Sequence, residues 1–161
     1  MNNRLIGFIL SGVLCLILHS AQSISAQSTY KVDANWAQLP DGKTWDGSTS
    51  WITADGKGNI LVLVRTAPYF RWFTRDGKFV KAVGDAGLFD TAHSVTIDSQ
   101  GFLWATDSTA HLVHKFDADG RLLMTLGRKG VAGDNTSRDL FNQPNHVNSP
   151  LTDSLFESSG A

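Results

Sequence analysis

The chain has 161 residues, a formal net charge of −1, 42% hydrophobic residues and one cysteine. A near-neutral balance supplies no cationic field for nucleic acid or an anionic membrane surface, so neither partner is expected. A lone cysteine excludes a disulfide framework within the chain.

Met1–Ala26 reads as an export signal. Arg4 and the free amine open it, Leu5–Leu18 is an uncharged apolar run, and Ser23-Ile24-Ser25-Ala26 offers a cleavage point, with Ala21 a second. The run is shorter than the ~20 residues of a bilayer-spanning helix. The mature chain is therefore expected to be periplasmic or extracellular, without a membrane anchor. Cys15 lies in this run, and Gly12-Val13-Leu14 lacks the small residue that a lipoprotein signal places beside its cysteine, so the processed chain has no thiol. Removing Arg4 leaves 13 basic against 15 acidic residues.

Residues 27–49 form a lead-in. Tyr30-Lys31-Val32 suits an edge or closing strand, and Leu39-Pro40-Asp41-Gly42 is turn chemistry. Trp36, Trp45 and Trp51 are expected to pack under the first β-rich unit. That unit runs from Ser50 to Gly84, with Asn59–Val64 its most apolar strand. The stretch from Ala67 to Phe73 begins in a loop and enters a third strand. The unit from His93 to Gly127 has four alternating runs: Ser94–Ile97, Phe102–Ala105, His111–Phe116 and Leu122–Leu126. Turns at Asp98-Ser99-Gln100-Gly101, Thr106-Asp107-Ser108 and Ala118-Asp119-Gly120 separate them, which describes an antiparallel meander.

The two units repeat. Ile52 and Val95, Asp55 and Asp98, Gly58 and Gly101, Phe73 and Phe116, and Gly84 and Gly127 all stand 43 residues apart, without a gap. Four strands per unit at that period indicate propeller blades, so the fold class is all-β, a β-propeller with two four-stranded blades over residues 50–147. Residues 128–143 form a longer surface link in which Asn135-Thr136-Ser137 matches the N-glycosylation pattern. Phe141–Val147 resembles the start of a third blade, with Val147 in the place of Val95 and Asn145 in the place of His93. Asn148-Ser149-Pro150 then breaks the pattern, because proline is excluded from inner strands. Residues 148–161 are expected to be a disordered or aberrant tail, as if the chain stopped or left its frame after Val147. A propeller blade covers its neighbours' apolar faces, so two blades alone are expected to be marginal or to self-associate through the open ones.

Asp55, Asp76, Asp98 and Asp119 sit beside or just before glycines and read as turn residues, leaving no acidic pair for catalysis. No nucleophile–base constellation or phosphate loop appears. His93 alone reads as a polar group at a channel mouth, and Arg65 at a strand end has Asp107 as a possible ion-pair partner.

The units resemble NHL-type propeller repeats. More narrowly, Ile52–Arg65, Ala92–Asp98, Phe102–Asp107, His111–Asp117 and Leu126-Gly127 followed by Phe141–Val147 resemble the first third of the six-bladed peptidyl-α-hydroxyglycine α-amidating lyase domain. The resemblance implies that His93 is a zinc ligand near the axis, that the carbonyls of Ile52 and Val95 face a structural calcium, and that Arg65 is an active-site arginine. The implied substrate is a peptidyl-α-hydroxyglycine, split to an amidated peptide and glyoxylate. The other zinc histidines, the catalytic tyrosine and a second arginine of that family belong to later blades and have no counterpart here. His146 falls one position away from the ligand position, and His111 and His114 lie on a third strand, away from the axis. Three functions are compatible with these residues: an exported lyase-like propeller, inactive as these blades alone; a non-catalytic NHL propeller binding a protein or carbohydrate; or a gene product with no function of its own. A sugar-lactone hydrolase propeller is disfavoured because its acidic metal ligands are not recognisable.

Overall fold

The computed structural model describes residues 31–41, 43, 45 and 47–148. The export signal, Tyr30 and all of the tail except Asn148 lie outside the described residues. Among those described, the chain is all-β. Strands β1 (Thr49–Ala54), β2 (Asn59–Val64), β3 (Phe70–Thr74) and β4 (Phe79–Val83) form one antiparallel sheet in chain order. Strands β5 (Ala92–Ile97), β6 (Leu103–Asp107), β7 (Leu112–Phe116) and β8 (Leu122–Leu126) form a second, with the same order and direction. These are the two expected blades. Strand β1 lies against β5, so the first strand of each blade is its innermost.

Alternation on the pleat decides which neighbour each side chain meets. On β2, Leu61 and Leu63 point to the second blade, while Val62 and Val64 point the opposite way. The inter-blade core joins Leu61, Leu63, Phe70 and Trp72 to Val95, Leu103, Ala105 and Phe116. Phe89, in the link between blades, completes it. Its ring lies 5.0 Å from Tyr69, 6.0 Å from Phe70, 5.4 Å from His114 and 5.6 Å from Phe116.

The outward face of blade one is covered by the lead-in. Trp36, Ala37 and Leu39 pack on Val62, Val64 and Phe73, and the Trp45 ring lies 5.8 Å from Phe73. The Trp36 indole N–H donates to the Arg75 carbonyl (3.0 Å) and the Gln38 N–H to the Gly77 carbonyl (2.9 Å). Trp36 and Trp45 thus pack on blade one as expected. Trp51 belongs instead to β1, packs on the inter-blade core and stacks on His146 with ring centroids 5.0 Å apart. Lys31 and Val32 form no strand, which corrects the reading of an edge strand there; this lead-in pairs instead through one parallel bridge, Gln38 with Lys78.

The turns follow the repeat at the level of hydrogen bonds. One oxygen of Asp55 accepts the N–H groups of Lys57 and Asn59, and one oxygen of Asp98 accepts those of Gln100 and Phe102. At the outer turn the anchor is not the aspartate beside glycine but the residue two before it. Asp117 accepts the Asp119 and Arg121 N–H groups, and Thr74 takes the same place in blade one with its hydroxyl, accepting the Lys78 N–H. The expected turn at Thr106-Asp107 is wrong, since both residues belong to β6. Their polar atoms are buried yet paired: the Thr106 and Ser94 hydroxyls meet at 2.9 Å, and Asp107 accepts N–H groups from Asp90, Thr91 and Ala110.

Gly77 has φ +83°, and a Cβ there would collide with the Trp36 carbonyl; Gly101 has φ +87° with open space around it. Gly101→Ala is expected to cost about 1–2 kcal/mol for the left-handed backbone alone. Gly77→Ala loses more than that and detaches the lead-in, which urea titration followed by tryptophan fluorescence will separate.

Candidate functional site

The innermost strands place the site. Both carry a β-bulge near their start: pairing slips between Thr49 and Trp51 on β1 and between Ala92 and Ser94 on β5. The extra residues are Ser50 and His93, which are repeat equivalents. A bulge leaves one residue out of the ladder and re-aims its side chain. His93 is therefore a half-buried residue whose orientation is set by the bulge, and its Nδ1 is buried without a hydrogen-bond partner among the described residues. A buried polar atom left unpaired costs about 1–3 kcal/mol, and such atoms in folded proteins commonly meet a ligand, an ion or a water.

The backbone below His93 is also settled by register. The Asp55 N–H donates to the Asn59 carbonyl, so Asp55 and Asn59 form a hydrogen-bonded pair. Alternation from there makes Ile52 opposite Val62 a non-bonded pair, and the Ile52 carbonyl lies on the open edge of β1. The Asp98 N–H to Phe102 carbonyl bond fixes the same phase in blade two, leaving the Val95 carbonyl on the open edge of β5. The two carbonyls that the resemblance singled out thus face away from the ladder. Their side chains differ: Val95 is buried in the inter-blade core, whereas Ile52 is 59% exposed.

Arg65 directly follows β2, exposed, with its N–H donating to the Ser48 carbonyl (3.0 Å). Its repeat equivalent Ser108 makes the matching bond to Thr91 (3.1 Å), so the backbone at this corner is part of the blade design and the arginine side chain is an addition to it. The start of β1, the end of β2 and the start of β5 lie at one end of the blades, where Tyr69 meets Phe89, so Arg65 and His93 share that end. Asp107 does not pair with Arg65, because its oxygens are taken by the three N–H groups named above.

The third-blade start was readable. Phe141, Pro144 and Val147 repeat Phe89, Ala92 and Val95, each 52 residues on, and all three line the far face of blade two. The Thr96 hydroxyl donates to the Val147 carbonyl (2.7 Å), which holds that segment beside β5. His111 lies just before β7 and accepts the Gln143 N–H at Nδ1 (3.0 Å). His114 lies on β7, with Nδ1 2.9 Å from the Thr125 hydroxyl. Both are away from the inner strands, as the sequence indicated.

The donor set decides what a metal finds here. At the bulge on β5 stand the His93 imidazole and, on the open edges of β1 and β5, two carbonyls, and no group of three His, Cys, Asp or Glu among the described residues stands close enough to hold a metal ion. A catalytic zinc needs three protein ligands and an open position, and calcium takes six to eight oxygens. His93 fits the share of one ligand, and the two carbonyls fit the share of two oxygens. As they stand, these residues do not make either site.

Burial holds the His114 ring below its usual pKa, with Lys129 adding to that and Asp107 opposing it. The unfolded chain then binds a proton more readily than the folded one, so stability is full above about pH 6.5 and falls as pH drops toward the folded value. Thermal melts from pH 7.5 to 5 should show this decline, and His114→Gln, which keeps a partner for Thr125, should flatten it.

No family model matches the chain. It is similar to the Caenorhabditis elegans protein named "Probable peptidyl-alpha-hydroxyglycine alpha-amidating lyase", at 36% identity over 88 residues, which is 54% of this chain and 24% of that protein. The chain thus spans about a quarter of the length of the relative it matches.

Proposed function

We propose that residues 49–147 are the first two blades and the third-blade start of an exported, NHL-type, lyase-like propeller. Its reaction is C–N cleavage of a peptidyl-α-hydroxyglycine to an amidated peptide and glyoxylate. The observation that carries this reading is His93: a bulge on an innermost strand holds an imidazole whose buried Nδ1 has no hydrogen-bond partner among the described residues, and the Ile52 and Val95 carbonyls face the open edges of β1 and β5. The similarity to the nematode protein supports the same reaction class. The apolar run at Leu5–Leu18 supports export.

In this reading His93 supplies one zinc ligand, the two carbonyls supply part of a calcium shell, and Arg65 is the cation for the substrate carboxylate. An exposed guanidinium offers the planar, two-pronged geometry that a carboxylate accepts. The remaining ligands and the proton-transfer groups come from outside the described residues, so these blades alone give no turnover. The second reading, a non-catalytic propeller that binds a partner, is favoured by the apolar side chains Leu122, Leu123 and Met124, each exposed by 42% or more.

A graft separates the two. Residues 49–147 replace the matching segment of the nematode protein, and glyoxylate release from a peptidyl-α-hydroxyglycine is measured. The graft is expected to turn over, with His93→Ala reducing kcat/KM by about 100-fold or more, and Arg65→Ala raising KM for substrates that carry the carboxylate. A graft whose activity ignores both substitutions removes these residues from the site.

A further inference from the structure

The bulge on β5 is held from both sides by two polar side chains whose places in blade one are taken by apolar ones. Its extra residue, His93, stands between Ala92 and Ser94. Directly across the ladder lie the last two residues of β6, Thr106 paired with Ser94 and Asp107 with Ala92. Both are buried, Thr106 at 0% exposure and Asp107 at 1%. A hydroxyl and a carboxylate so placed cost free energy unless their polar atoms are paired, and the pairing goes mainly to the chain that flanks His93.

After the bulge, Thr106 Oγ1 accepts the Ser94 N–H (3.1 Å) and lies 2.9 Å from the Ser94 hydroxyl. Before the bulge, one Asp107 oxygen accepts the Asp90 N–H (2.6 Å) and the other accepts the Thr91 N–H (2.9 Å), with the Ala110 N–H at 3.3 Å. Thr91 is tied at its other polar groups too. Its carbonyl accepts the Ser108 N–H (3.1 Å), and its hydroxyl accepts that of Thr109 (2.9 Å). Asp90 is held again by its ion pair with Lys129 (2.7 Å). In blade one the places of Thr106 and Asp107 belong to Leu63 and Val64, both completely buried, and neither side chain can accept a hydrogen bond. A bulge forms there all the same, around Ser50. The bulge itself therefore needs neither polar side chain, and the buried pair accompanies the blade whose bulge carries the imidazole.

We infer that Thr106 and Asp107 are positioning residues for His93: they fix the backbone on either side of the bulge, so that the ring keeps a single direction. The functional weight of this rests on the reading of His93 as a metal ligand. A bulged residue is outside the ladder, so its own strand pairing does not hold it, and its direction is only as firm as its two flanks. Groups that orient a ligand change metal affinity by about 10–100-fold.

The test is NMR on the full chain. Relaxation of the His93 ring carbon Cε1 is measured without metal, and cobalt(II) is then titrated. The wild-type ring is expected to be as rigid as the strand that carries it. Thr106→Val, which removes the hydroxyl at nearly constant shape, and Asp107→Val, which installs the residue of blade one, should keep the fold by circular dichroism. Each should mobilise the His93 ring, leave those of His111 and His146 unchanged, and weaken cobalt binding at His93 about tenfold. Thr106→Ser, which keeps the hydroxyl, should return both readings to the wild-type values. Thr106→Val decides the matter if Asp107→Val does not fold. A wild-type ring that is already mobile, or one that stays ordered in Thr106→Val, would overturn the inference. Ring order is read without metal, so cobalt that ignores His93 in the wild type strikes the ligand reading, while the ring alone still decides the positioning role.

Discussion

The structure depends on the aromatic contact between the blades. Phe89 comes from an irregular link, yet its ring touches residues of both sheets and lies in a core with Phe70 and Phe116, which are completely buried. Each ring pair adds about 0.5–1.5 kcal/mol beyond the area it removes from water, and the rings together fix the angle of one sheet to the next. That angle brings β5 against β1. Without it the two bulges, the open carbonyls and Arg65 would belong to separate hairpin sheets, and no shared end would exist.

The candidate site therefore uses few residues beyond those that make a blade. Ser50 and His93 occupy one bulge position in two successive blades, and Asn145 holds the corresponding place at the start of the third. A propeller offers this position once per blade around its axis, and chemistry enters when a ligating side chain occupies it. The neighbouring corner behaves alike: Arg65 and Ser108 make the same backbone bond, and only one of them carries a charge. The fold supplies equivalent places, and substitution at those places supplies function.

Much of this was legible in the residues. The period of 43 could be read because turn aspartates and glycines sit at fixed offsets from buried aromatics, and all of these survive in three dimensions as turns and core. Phe141–Val147 was legible from Val147 standing where Val95 stands, although a longer link breaks the period of 43 before it. Other features were not. A bulge adds a residue to one strand relative to its partner, and both blades share it, so a comparison of the blades with each other hides it. Thr74 and Asp117 were both missed as turn anchors because the aspartate beside the glycine, two residues on, carries the more familiar turn pattern. The assignment of Asp107 to a turn failed because a buried carboxylate in the last position of a strand can be satisfied by N–H groups of a distant link. Lead-in residues such as Trp36 gave no periodic signal, since they pack through irregular backbone.

The central claim is that the bulge on β5 turns the free nitrogen of His93 toward the axis, beside the open carbonyls of β1 and β5. Cobalt(II) titration followed by paramagnetic broadening in the NMR spectrum tests this directly, because it detects weak binding and locates the ion. The account predicts that broadening begins at the His93 ring and spreads to the amides around Ile52 and Val95. Broadening centred on His111 or His146, or none at His93, would contradict it.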